Sequence, residues 1–152
     1  MLLAHYLSLL ARSQRRLAES FLALGDAHPD EVELRRTGSR LAAQCVDHAD
    51  RLQPFVDRYG KDVDEEPSDL HVDLFHGPRT GPLGMLRDLH DLYLMASECD
   101  IVWTLVGQAA QGARDRELLE VVSSCEGETA IQLRWLQTQL RQAAPQVLVV
   151  AR

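Results

Sequence analysis

Four stretches of this chain carry apolar residues separated alternately by four and three positions, and that period leaves little for them to form except helices packed side by side. The first is the most regular: Leu3, Leu7, Leu10, Gln14, Leu17, Phe21 and Leu24 are spaced 4-3-4-3-4-3, with one polar residue at the centre. The second stripe is Leu34, Gly38, Leu41, Cys45, His48, Leu52, Phe55 and Tyr59. The third is Leu89, Leu92, Ala96, Cys99, Trp103, Val106 and Ala110, and the fourth Leu119, Val122, Glu126, Thr129, Leu133, Leu136 and Leu140. Turn and cap signals place the helices at about 2–25, 30–59, 82–112 and 115–143. Gly25, Gly60 and Gly112 read as stops, Pro29 and Asp115 mark starts, and Pro54 is expected to kink the second helix near its end.

The links between these helices decide the topology. Short turns join the first to the second and the third to the fourth, which makes two helical hairpins. Residues 60–82 are different: acidic, without period, and closed by Gly77-Pro78 and Gly81-Pro82. An extended segment of that length reaches about 70 Å, enough to travel a helix of about 36–45 Å from end to end. The expected fold is all-α: a single four-helix-bundle domain over 1–152, made of two hairpins joined by a long crossover, with the second and third helices parallel.

The 152 residues suit one domain with a real core. A formal charge of −7 argues against binding nucleic acid, and no apolar run is long enough for a membrane span. Cys45, Cys99 and Cys125 cannot all pair and contain no CxxC, which reads as reduced thiols in a cytoplasmic protein. The sequence holds neither a glycine-rich phosphate loop nor a nucleophile elbow.

Each stripe is interrupted by polar residues near its middle: Gln14; Cys45 and His48; Cys99 beside Glu98; Glu126 and Thr129 flanked by Cys125 and Glu128. In a bundle of antiparallel hairpins these positions share one height, so they are expected to form a buried layer that must satisfy its own hydrogen bonds, hold water or hold a metal ion. Cysteines on apolar faces serve equally as small core residues, His48 as a hydrogen-bonded core histidine and Gln14 as a register-setting polar group. Glu126 is the hardest to place in a core, because a buried carboxylate requires a cation, a proton or several donors. His5 and His90 lie off the stripes. The acidic residues of the linker, Asp62, Asp64, Glu65, Glu66, Asp69 and Asp73 with His71 and His76, lack the spacing of a calcium loop and read as a solvated segment.

Two hairpins, one long crossover and polar residues at the bundle centre resemble the ferritin-like superfamily. The segment from Gln108 to Gln146, with its runs Ala113 to Leu119 and Cys125 to Thr129, is similar to small bacterial members of it. The resemblance implies a site built from one Glu on each of two helices and a Glu-x-x-His pair on each of the others. Glu98 matches the third-helix carboxylate and His48 the second-helix histidine, with Cys45 in the place of its partner Glu. On the fourth helix Cys125-x-x-Glu128 or Glu126-x-x-Thr129 takes the Glu-x-x-His place without a histidine. On the first, Gln14 holds the core position and Glu19 lies off the stripe. This set is incomplete for di-iron oxidase or ferroxidase chemistry, and no cofactor is expected. The alternative is one zinc or other transition-metal ion held among Cys45, His48, Glu98, Cys99, Glu126 and Glu128.

The leading functional expectation is therefore a non-catalytic bundle acting through protein contacts. Leu94, Ile101 and Leu105 widen the apolar arc of the third helix, and the tail 145–152 carries Val147, Leu148, Val149 and Val150 beyond Pro145, which should stop the fourth helix. Together they predict a homodimer through the third helix, with the tail packed on its own bundle or in a second copy's groove, and leave room for another protein partner.

Overall fold

The computed structural model describes residues 2–60 and 74–151. Its elements are α1 (Leu3–Ala27), α2 (Val32–Tyr59), α3 (Gly81–Gly112) and α4 (Arg116–Pro145), followed by a π-helical turn over Gln146–Val150. No strand occurs among the described residues. The fold is an all-α four-helix bundle.

α1 buries its whole predicted stripe, Leu3 through Leu24, including Gln14. It continues past Gly25 to Ala27, so that glycine is not a stop. It permits close approach instead: a Cβ there would lie 2.9 Å from Arg35 Cα, and one at Gly38 would lie 3.1 Å from the Phe21 carbonyl oxygen. At two points a glycine on one helix thus lies against the backbone of the other across the α1–α2 hairpin. Pro29 sits in the turn between them, and α2 opens at Val32. Pro54 lies inside α2, which runs unbroken to Tyr59.

α1 packs on α2 and α3, and α4 packs on α3 and more lightly on α2, giving the ring order α1–α2–α4–α3. Specific contacts fix the directions. Arg58 and Tyr59, at the end of α2, both reach Asp115 at the start of α4, with distances of 2.8 and 2.6 Å. At the opposite end His28, after α1, lies 3.7 Å from Asp88 in the early turns of α3. α2 and α3 therefore run parallel across the diagonal, and the chain between Tyr59 and Gly81 returns from one end of the bundle to the other. The acidic linker residues Asp62 to Asp73, with His71, lie outside the described residues.

The return is anchored by charge. Asp88 is fully buried and accepts from the Arg79 backbone N–H at 2.9 Å and from its guanidinium at 2.7 Å. The same guanidinium reaches Asp91 at 3.0 Å. Gly84 makes room for this, since a Cβ there would come within 2.8 Å of Arg79 Cβ. At the other end Asp115 caps α4, its carboxylate accepting from Leu118 N–H at 3.1 Å.

Two expectations for α4 are corrected. Its buried line keeps Val122, Thr129 and Leu136 from the predicted stripe but takes Leu118, Cys125 and Gln132 in place of Leu119, Glu126 and Leu133; Leu119, Leu133 and Leu140 are half-buried. Pro145 does not expel the tail from helical geometry. The chain widens after it into a π turn closed by Ala151 N–H to the Gln146 carbonyl at 2.8 Å. Missing one amide hydrogen at Pro145, the helix changes its hydrogen-bond period rather than ending.

Candidate functional site

The four helices bring a polar layer to mid-height, with Gln14 from α1, Cys45 and His48 from α2, Cys99 from α3, and Cys125, Thr129 and Gln132 from α4 all buried. His48 is the hub. Its Nδ1 lies 3.2 Å from Gln14 Oε1, its Nε2 lies 3.4 Å from Glu128 Oε2, and its ring meets Trp103 edge-on at 5.7 Å between centroids. Cys45 Sγ donates to Gln132 Oε1 at 3.7 Å, and Gln132 Nε2 donates to Gln44 Oε1 at 3.1 Å. Thr129 turns its hydroxyl back to the Cys125 carbonyl at 2.8 Å, closing its hydrogen bond within α4.

The electrostatics of this layer favour neutral groups. Burial lowers the affinity of His48 for a proton and outweighs the opposing pull of Glu128 and Asp47, while Arg51 adds to the lowering. A neutral imidazole has one donor and one acceptor nitrogen. The carboxylate of Glu128 suits a proton on Nε2, and Nδ1 then accepts, which asks the Gln14 amide to offer its NH2 rather than its oxygen. The opposite assignment leaves His48 Nε2 and Gln14 Nε2 both without hydrogen-bond partners.

The thiols are equally inert. Burial pushes Cys45 up to about 12 against the effect of its hydrogen bond with Gln132, and Cys125 up to about 12 against the charge of Arg51. Burial also drives Cys99 far above the ordinary thiol range, beside the Gln14 amide that opposes it. Thiols held protonated are poor nucleophiles.

Of the six candidate ligands, His48 and Glu128 make a close pair, and Cys45 and Cys99 are buried in the same layer. Cys125 takes the core position expected for Glu126. Glu126 is half-buried at the α4 boundary and makes no hydrogen bond or ion pair with described residues. Glu98 is half-buried next to Cys99. Among the described residues no three His, Cys, Asp or Glu side chains are grouped to hold a metal ion. The donor set does not fit the two-metal centre of the ferritin-like pattern: an amide, a thiol and a hydroxyl stand at Gln14, Cys45 and Thr129 where that pattern asks for carboxylates and a second histidine.

Sequence reasoning missed Gln132 and Asp88, and with them the buried hydroxyls of Ser13, Ser20 and Thr37. The α3 stripe steps back three from Leu92 to Leu89; a step of four, equally allowed on a helix, lands on Asp88. His5 is half-buried and His90 exposed, both away from the layer.

A second feature lies near the Asp115 end of the bundle, where α1 begins and α3 ends. Leu2, Leu3 and Tyr6 face Leu105, Val106, Ala109, Gly112 and Ala113 across an open groove of about 550 Å³ with almost entirely apolar walls. Farther up α3, Leu94 and Ile101 are exposed, Ile101 at 60%. At the far end the tail rests near Met85, Leu89 and Ala143, with Val147 half-buried and Leu148, Val149 and Val150 exposed. No helix among the described residues is long and apolar enough to cross a membrane. No family model, curated protein or solved structure matches the chain.

Proposed function

We propose that this chain is a non-catalytic helical bundle that works through protein contact, as a homodimer or accessory subunit built on α3. The observation that carries this reading is the outer face of α3, where Leu94, Ile101 and Leu105 are exposed and lead into the apolar groove beside Leu2 and Tyr6. Soluble monomers seldom leave so extended an apolar surface in water. The polar layer fits the same reading, because neutral thiols and a histidine tied to Gln14 and Glu128 define register and specificity rather than chemistry. The ferritin-like reading of the scaffold draws support from the two hairpins and the parallel diagonal of α2 and α3.

Light scattering at micromolar concentration tests the association. A dimer is expected, and Ile101→Asp with Leu105→Asp should give a monomer of unchanged helicity. A wild-type monomer overturns the homodimer. The exposed tail residues enter as a smaller apolar contribution, so a chain ending at Ala144 should dimerise more weakly; an unchanged dimer removes the tail from the interface.

One observation favours a second reading. His48 Nε2, fully buried and 3.4 Å from Glu128, is the beginning of a site for one zinc or similar ion. Elemental analysis of protein purified without chelator separates the two. Stoichiometric metal that is lost in His48→Gln replaces the structural account of the layer with a metal-binding one.

A further inference from the structure

The charge anchor at the start of α3 is incomplete. Asp88 is fully buried and Asp91 is 15% exposed, and one guanidinium nitrogen of Arg79 serves both carboxylates, at 2.7 and 3.0 Å. A single positive charge thus faces two carboxylates, one of them out of water altogether. Beside them lies His28, in the turn after α1, where its carbonyl accepts from Glu31 N–H at 3.0 Å. Its side chain is 9% exposed, and its Nε2 is buried without a hydrogen-bond partner, 3.7 Å from Asp88 Oδ2. That distance is too long for a hydrogen bond. It is the separation expected of two ligands of one zinc ion, which at about 2.0–2.2 Å from the metal lie roughly 3.3–3.9 Å apart.

We propose that His28, Asp88 and Asp91 are the ligands of one divalent ion of the zinc type, bound at this end of the bundle in exchange for the Arg79 guanidinium. Asp88 and Asp91 lie three residues apart, on one face of α3, and His28 reaches them from the α1–α2 turn. As folded, the three do not close on a common ion, because the guanidinium stands between the carboxylates. Three features favour the exchange. A divalent ion brings the second positive charge that Arg79 lacks, and it gives His28 Nε2 a partner. One imidazole nitrogen with two carboxylate oxygens suits zinc, whereas magnesium and calcium take oxygen ligands. Arg79 also has a way out. It is 33% exposed, and Gly77 and Gly81 on either side of it adopt φ of 114° and 75° with open space where a Cβ would be. The short segment between them turns on two joints that carry no side chain. The site is at the opposite end of the bundle from the apolar groove and away from the layer around His48.

Calorimetric titration of zinc chloride into the full-length protein, stripped with a chelator, tests the site. The wild type is expected to take up one ion per chain. His28→Gln and Asp91→Asn should each weaken binding at least roughly tenfold by removing a ligand, and Arg79→Gln should tighten it at least roughly tenfold by removing the competing cation. The gain in Arg79→Gln sets a metal site apart from a structural anchor, since a variant that only loosened the fold would bind no better. Circular dichroism confirms that each variant is helical. His48→Gln should leave the titration unchanged. A wild type that takes up no zinc overturns the proposal, and so does a folded Arg79→Gln that binds no more tightly. If Arg79→Gln does not fold, His28→Gln and Asp91→Asn decide, and wild-type affinity in either overturns it. Zinc that is lost in His48→Gln but kept in His28→Gln overturns it in favour of the metal reading of the bundle centre.

Discussion

His48 should make the protein less stable as the pH falls through the histidine range, and the sign of that change separates two accounts of the bundle centre. In the folded chain burial lowers the affinity of His48 for a proton, more than Glu128 and Asp47 raise it. An unfolded histidine titrates near 6.5. Below that pH the unfolded chain takes up a proton that the folded chain refuses, so acid favours unfolding. The limiting slope is about 1.4 kcal/mol per pH unit, and the accumulated loss at pH 5.5 is at most about 1.4 kcal/mol relative to pH 7.5. The loss stops growing once the pH reaches the folded value. Against a typical total of about 5–15 kcal/mol this is measurable. Urea unfolding of wild type and His48→Gln at pH 7.5, 6.5 and 5.5, at fixed ionic strength and protein concentration, isolates it. The other histidines are common to both proteins and cancel in the difference. The wild type should lose stability relative to the variant as acid is added, and Glu128→Gln should steepen the loss by removing the opposing charge. A wild type that instead gains stability over His48→Gln between pH 7.5 and 5.5 would mean that the histidine is a cation paired with Glu128, and the account of a neutral layer would fail.

The remaining expectations concern the ends of the bundle and the thiols. Gly84→Ala should destabilise by about 2–4 kcal/mol in urea unfolding, because its methyl displaces Arg79 and leaves the buried Asp88 without its cation; the same loss in a variant already lacking Arg79 would refute that cause. Asp115→Ala should cost about 1–3 kcal/mol at pH 7 through loss of the α4 cap and the Tyr59 hydrogen bond. Burial raises the Asp115 carboxyl, but hydrogen bonds from Tyr59, the Leu118 N–H and Arg58 bring it below the ordinary carboxylate value, so its contribution is present at neutral pH and vanishes as the pH falls below about 4. Cys45, Cys99 and Cys125 should resist a thiol reagent in native buffer at pH 8 and all react in urea; rapid labelling of any one in the folded state contradicts its burial.

The structure departs from the sequence reading most where the hydrophobic pattern is least selective. On α1 the positions one residue before the stripe include Ser13, Arg16 and Ser20, so only the stripe itself offers an apolar face along the whole helix, and every stripe position lies in the core. The parallel course of α2 and α3 was legible for a similar reason, since a linker too long for a tight turn needs a long path. On α4 the apolar residues come in adjacent pairs: Leu118-Leu119, Val121-Val122 and Trp135-Leu136. Two rotations about 50° apart then share Val122, Thr129 and Leu136 and bury nearly the same hydrophobic area, and periodicity alone cannot choose between them. Transfer energy favours the rotation that buries Leu133 over the one that buries Gln132. The folded chain takes the other, because a buried Gln132 finds Cys45 and Gln44 as partners and Leu133 remains half-covered. That half-step rotation changes the chemistry of the site. It moves Glu126 from the core to the boundary and puts Cys125 in its place, exchanging a carboxylate that would demand a cation for a thiol that demands nothing. The case for a metal at the bundle centre was strongest at Glu126. With that residue half-exposed, the layer is left with neutral side chains from four helices and the Glu128 carboxylate at its edge, and the exposed apolar surface of α3 lies on its outer face.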